Sequence, residues 1–203
     1  TLWPDSSDSQ ARTNLRRELH NLRQALPAAD RYLTIEQHTL QWRAEAPFTL
    51  DVADFEQAIT AAHQAEAATN EPALREALAE AVAFYKGDLL PGCYDDWLLT
   101  ERERLRHAYL QALGQLVTLL QKQRDYQPAL EYAQQLLREE PLAEESYLHL
   151  IHLYALTGDR ARALRVYHTC VTTMQRELGV EPGPATRQAY EQLLQTAAPP
   201  PAD

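Results

Sequence analysis

The chain has 203 residues, 45% hydrophobic and 24% charged, which is enough for one large helical domain or two smaller ones. No apolar run is long enough to cross a bilayer, and the formal net charge of −10 would argue against a nucleic-acid partner if it were spread evenly. Cys93 and Cys170 are the only cysteines and lie far from any Cys/His cluster, which points away from a disulfide framework or a zinc site and toward free thiols of a cytoplasmic protein.

The chain does not begin with Met and carries no signal peptide, so it is expected to be a piece of a longer protein. Leu2 and Trp3 read as the last apolar residues of a helix that begins upstream and stops at Pro4. The polar run that follows is a loop, and Asp8 or Ser9 can cap the next helix. Residues 12–43 break the even spread of charge. They carry six arginines against Glu18, Asp30 and Glu36, a net +3, while residues 44–203 carry 13 basic and 24 acidic side chains, a net −11. A small basic module thus precedes a large acidic one, and the two are expected to do separate jobs.

Leu15, Leu19, Leu22 and Leu26 recur at spacings of four, three and four, one face of a helix over 9–26. At about 100° per residue, Thr13, Arg17, His20 and Gln24 point the opposite way, with Arg16 and Arg23 on one flank and Asn21 on the other. These are the side chains that read a major groove, where Arg favours guanine and Asn or Gln favours adenine. The same pattern also describes a solvated amphipathic helix with no DNA role. Residues Arg31 to Glu36 and Thr39 to Arg43 alternate as two strands about a Gln37-His38 turn, with Leu33, Ile35, Leu40 and Trp42 expected in a core. A basic helix followed at once by a two-stranded hairpin is the back half of a winged helix-turn-helix, in which the hairpin is the wing.

Residues 44–51 read as a linker. Asp51 caps a helix over about 52–68 with Phe55, Ile59 and Ala62 inward, and Pro72 opens a second helix to Tyr85 with Leu74, Leu78, Val82 and Tyr85 as its stripe. Gly87 closes it. The irregular stretch 89–97 is expected to fold its apolar residues back on this helix pair. A long helix over about 95–123 carries Leu98, Leu105, Tyr109, Leu113, Leu116 and Leu120. Helices near 126–139, 143–157 and 160–178 follow, and Pro184 opens a last one to about Gln195. The Pro-rich tail 197–203 reads as a disordered linker.

One pattern is written twice in this region, 34 residues apart. Asp125, Ala129 and Leu130 recur as Asp159, Ala163 and Leu164, and Leu116 and Leu119 as Leu150 and Leu153. That period predicts stacked tetratricopeptide-type hairpins over 110–178, with Ala129 and Ala163 at close helix contacts. Arg160, Arg162 and Arg165, with Tyr147, are expected to line a protein-binding groove on the concave side; Tyr154 and Tyr167 fit packing positions better. His149 and His152 lack a third ligand at a supporting spacing, Asp95 suits a helix cap better than an acid/base pair with Asp96, and no Gly-rich phosphate loop or Ser/His/Asp grouping stands out. No metal, no cofactor and no enzymatic activity are expected.

Several stretches together carry a family resemblance. Leu2-Trp3-Pro4, the run Ala11 to Leu26 and Arg31-Tyr32-Leu33 resemble the end of the winged-helix domain in antibiotic-regulatory-protein-type bacterial activators. Phe48 to Glu56, Tyr85 to Leu90, Asp96-Trp97 and Arg176 to Pro184 resemble landmarks of the bacterial transcriptional activator domain, an all-helical tetratricopeptide-like module. The resemblance implies a mostly α fold, a tetratricopeptide-like repeat domain preceded by a partial winged helix, whose first half would lie upstream of Thr1. It implies a partial DNA-binding domain at 1–43, an activator domain at 44–196 and a tail at 197–203. Helix 9–26 would be the recognition helix, with Arg12, Thr13, Arg16, Arg17, His20, Asn21, Arg23 and Gln24 toward DNA, and Arg31 and Arg43 beside the wing. The implied function is a cytoplasmic DNA-binding transcriptional activator, whose partners are DNA, RNA polymerase or another protein, and a second copy. The competing reading is a protein-interaction scaffold without DNA binding.

Overall fold

A computed structural model describes residues 6–35, 40–43 and 45–195. The chain divides into two compact units at Leu50/Asp51. The helix end expected at Leu2-Trp3-Pro4, the Gln37-His38 turn and the tail 197–203 lie outside the described residues.

The first unit holds helix α1 (Asp8–Ala25), a short helix α2 (Ala29–Tyr32) and strands β1 (Leu33–Ile35) and β2 (Leu40–Trp42). Ser7, one residue before the expected caps, closes the start of α1: its Oγ accepts from the Gln10 amide at 3.3 Å. The helix stops at the residue before Pro27, as the proline ring requires, with Leu26 extended at φ −98°, ψ 107°. Ala28, in the left-handed region at φ 57°, turns the chain into α2. Arg31 and Tyr32 therefore lie in a helical turn and not in the strand expected to start at Arg31. The strands pair antiparallel with Leu33 opposite Trp42, Thr34 opposite Gln41 and Ile35 opposite Leu40. The Arg43 amide extends the ladder by donating to the Tyr32 carbonyl at 2.8 Å.

The expected hairpin core is only partly there. Leu33 is buried, but Leu40 and Trp42 are 47% and 53% exposed, and Trp42 leans on Phe48 at 5.2 Å between ring centroids. Alternation reports which side chains share a face of a ladder. Burying that face takes an opposing layer, and two strands alone do not supply one.

The second unit stacks helices α3 (Asp51–Ala67), α4 (Glu71–Phe84), α5 (Asp96–Lys122), α6 (Tyr126–Glu139), α7 (Glu144–Leu156), α8 (Arg160–Leu178) and α9 (Pro184–Gln195). Each packs chiefly on its neighbour in sequence, and α9 lies against α7 and α8. One core runs through the stack, from Phe55 and Leu78 through Tyr109, Leu113 and Leu116 to Ile151, Leu153 and Leu193. Ala129 and Ala163 have no exposed surface.

The backbone reveals three hairpins where the 34-residue period shows two. At the α5–α6 turn Arg124 has φ 60° and Asp125 φ −88°, ψ 69°; at the α7–α8 turn Gly158 has φ 77° and Asp159 φ −84°, ψ 65°. The α3–α4 turn repeats this with Thr69 at φ 54° and Asn70 at φ −94°, ψ 84°. Asn70 and Asp159 cap the helices that follow, accepting from the amides of Ala73 at 3.2 Å and Arg162 at 3.0 Å. The Asp125 carboxylate instead pairs with Arg75 at 2.6 Å, tying the second hairpin to the first.

Polar staples hold the remaining joints. Arg106 donates to the Glu139 carbonyl at 2.7 Å, and Gln135 donates to the Tyr109 hydroxyl at 2.8 Å, so α5 and α6 are tied twice. Glu144 accepts from the Gly183 amide at 2.8 and 2.9 Å, and Arg160 donates to the Leu193 carbonyl at 2.8 Å, fixing both ends of α9. The stretch 89–97 departs from expectation. Only Leu89 packs on the core; Leu90, Tyr94 and Trp97 are exposed. Its shape comes from Arg102, which donates to the carbonyls of Leu89, Leu90 and Cys93 and so holds the loop by its backbone.

Candidate nucleic-acid interface and the groove of the repeat domain

Helix α1 buries no residue within this chain, and its polar face is open along its whole length. Arg12, Thr13, Arg16, Arg17, His20, Asn21, Arg23 and Gln24 are all exposed. Of the leucine stripe, Leu19, Leu22 and Leu26 are half-buried and Leu15 is 40% exposed. Glu18 is the one acid set among these bases. It accepts from Arg17 at 3.0 Å and from Asn21 at 3.3 Å, and these hydrogen bonds hold its carboxyl below the usual carboxylate range. Arg23 stands 3.8 Å from Asp30, while Arg12 and Arg16 make no ion pair among the described residues. Such surface pairs are worth little and exchange readily for phosphate or a base edge. Arg31, in α2, and Arg43, just past β2, are both exposed at the open end of the hairpin, where Leu33 pairs with Trp42, and Arg43 Nε donates to the Leu33 carbonyl at 3.5 Å.

The repeat domain carries an open groove of about 820 Å³. The first helix of each hairpin supplies most of its lining, joined by Leu74 of α4 and Leu136 of α6. His63 and Glu66 come from α3; His107, Gln111, Gly114, Gln115, Thr118 and Lys122 from α5; Glu145, Ser146 and His149 from α7. The residues expected to line a protein-binding groove lie elsewhere. Arg160, Arg162 and Arg165 sit on α8, a second helix of a hairpin, and none of them lines the groove. Arg160 is spent on the Leu193 carbonyl, Arg162 pairs with Asp159 at 3.2 Å and lies 5.8 Å from the centre of the Tyr154 ring, and Arg165 is exposed. Tyr147 is a core residue, 3% exposed, packed with Cys170 and Met174 while its hydroxyl donates to the Pro141 carbonyl at 2.9 Å. Tyr154 is buried, and Tyr167 stacks on Tyr190 at 4.1 Å.

The groove residues were visible as a pattern. His107, Gln111, Gln115 and Thr118 recur every three or four residues along α5, opposite its leucines, and such a stripe reads as a solvated face unless the neighbouring hairpins are known to flank it. His149 and His152 do not act together: His149 lines the groove, and His152 is exposed outside it. Burial pushes the His149 imidazole below the ordinary histidine value, against the pull of Glu145 at 3.9 Å. Among the described residues no group of three or more His, Cys, Asp or Glu side chains is placed to hold a metal ion, and no helix is long and apolar enough to cross a membrane.

The model of the bacterial transcriptional activator domain matches residues 50–194. Regulatory protein AfsR of Streptomyces coelicolor is 29% identical over 195 residues, which is 96% of this chain but 19% of that protein. Among solved structures, Mycobacterium tuberculosis EmbR, determined in complex with a low-affinity phosphopeptide, superposes with a TM-score of 0.71 at 23% identity, over 98% of this chain and 53% of that one. The TPR2B domain of yeast Sti1, from its pHsp70 complex, superposes with a TM-score of 0.51 at 12% identity, covering 71% of this chain and 98% of the domain. The chain therefore spans about a fifth of the AfsR length and about half of the EmbR chain, and the last two likenesses speak for the fold alone.

Proposed function

The chain is a member of the bacterial transcriptional activator domain family, a family of transcriptional regulators, and from that premise we propose that it is part of a sequence-specific DNA-binding activator. Residues 1–43 are a partial winged-helix reader, 44–196 the protein-contact module, and 197–203 a Pro-rich tail. The observation that carries the reading is the α1 face: eight polar and basic side chains from Arg12 to Gln24, all exposed, opposite the leucine stripe and followed, after the short α2, by a two-stranded hairpin.

On this reading Arg17, His20 and Gln24 face base edges, while Arg31 and Arg43 hold phosphates at the wing. Arg12, Thr13, Arg16, Asn21 and Arg23 flank the reading residues. The repeat domain contacts RNA polymerase or a second copy, and such a protein works in the cytoplasm. An anisotropy titration with operator and shuffled duplexes tests the assignment. Arg17→Ala or Gln24→Ala should lose discrimination worth about 1–3 kcal/mol, whereas Arg31→Ala or Arg43→Ala should weaken both duplexes alike and flatten the salt dependence. Wild-type behaviour in all four variants would favour the scaffold reading.

A further inference from the structure

We propose that the groove across α3, α5 and α7 binds an extended, Lys- or Arg-bearing segment of another protein, with the segment's backbone crossing α5 at Gly114. The inference rests on the reading of the repeat domain as a contact module and gives that module a partner chemistry.

Gly114 is the first reason. It sits inside the 27-residue helix α5, where glycine costs about 1 kcal/mol relative to alanine. Its φ is not positive, and a Cβ built there would meet nothing within 4 Å. Neither backbone geometry nor helix packing calls for glycine at this position. What the missing side chain leaves is open floor in the groove, and close approach of another backbone is a use that glycine serves and other residues do not.

Charge is the second reason. Three carboxylates, Glu66, Glu140 and Glu145, line the groove against one ammonium, Lys122. Lys122 is already paired with Glu71, and Glu140 stands 3.9 Å from Arg106. Glu66 makes no ion pair among the described residues, and the Glu145 side chain is 83% exposed with only His149 at 3.9 Å. Glu66 on α3 and Glu145 on α7 thus offer carboxylates on both flanks of the glycine floor, and Gln111 and Gln115 supply amides that can both donate to and accept from a peptide backbone. A basic segment meets this lining; an acidic one is repelled by it.

The test uses the 203-residue chain and rhodamine-labelled octapeptides, one alternating Arg and Ala and one alternating Glu and Ala, followed by anisotropy. The Arg peptide should bind and the Glu peptide should not. Gly114→Leu fills the floor without changing charge and should weaken the Arg peptide at least tenfold. The double variant Glu66→Gln with Glu145→Gln should weaken it similarly, while Glu103→Gln, an exposed acid on α5 outside the groove, should leave it unchanged. Should Gly114→Leu fail to fold, the carboxylate pair still decides. Equal binding of both peptides, or wild-type binding by the double variant, overturns the proposal. Duplex binding by the same variants, measured in parallel, should stay at wild-type level; a loss there with no loss of peptide binding would also count against it. DNA binding that fails in the wild type while the groove results hold would sink the DNA reading alone.

Discussion

Replacing Ala163 by leucine tests the stacking of the repeats at its tightest point. Ala163 has no exposed surface and lies on the face of α8 that also presents Cys170 and Met174, exposed by 0% and 2%. Leucine brings three extra carbons to a helix contact that has no room for them, and an overpacked core typically loses about 1–3 kcal/mol. For a domain of this size each kcal/mol moves the melting temperature by about 2–4 °C, so the variant should melt about 2–12 °C below wild type. Ala161, two residues earlier on the same helix, is exposed. Ala161→Leu makes the same chemical change with nearly the same helix propensity and should stay within about 0.5 kcal/mol of wild type. Thermal denaturation followed by circular dichroism reads both. If Ala163→Leu melts with the wild type, or the two variants fall together, the close α7–α8 contact is wrong.

Two further outcomes follow from the same structure. Gly158 has φ 77° and open space around its Cβ position, so Gly158→Ala should cost about 1–2 kcal/mol through backbone strain alone, read as an earlier denaturant midpoint with an unchanged slope. Because burial depresses the His149 pKa in the folded state, the unfolded chain takes up that proton more readily. The contribution is therefore fully present above the ordinary histidine value of 6.5 and is lost as pH falls below it, so His149→Gln should shrink the difference in melting temperature between pH 7.5 and pH 5.5.

Much of the helical domain was legible because its signals are local. Apolar spacing, the Asp51 cap and the helix-opening prolines Pro72 and Pro184 placed the seven described helices of the second unit to within a few residues, and the Asp125/Asp159 and Ala129/Ala163 pairs marked two hairpins. The helix pair about Thr69-Asn70 was not recognised as a third repeat because the distance to the next turn is not 34 residues: the loop held by Arg102 and the length of α5 intervene. Its turn geometry repeats with Thr, Arg and Gly in the left-handed position, so no one-letter signature marks it. The hairpin core was overread because alternation says nothing about whether a layer covers the face, as Leu40 and Trp42 show. Tyr147 was misplaced for a related reason: a tyrosine on a first helix can point into the groove or back between helices, and the carbonyl of Pro141 decides for the core. The exposure of the polar side chains of α1 follows from its period, but the leucine stripe opposite them is only half-buried, with Leu15 exposed.

Sequence reading by α1 is the function proposed for the first unit. Selection of bound duplexes from a pool with a random 20-base-pair centre measures this directly and requires no operator to be chosen beforehand. The protein should enrich a motif within a few rounds, and Arg17→Ala and Gln24→Ala should each relax it at one or two base positions while leaving the rest in place. Recovery of an unselected pool by the wild-type protein, or of the identical motif by both variants, would contradict the account.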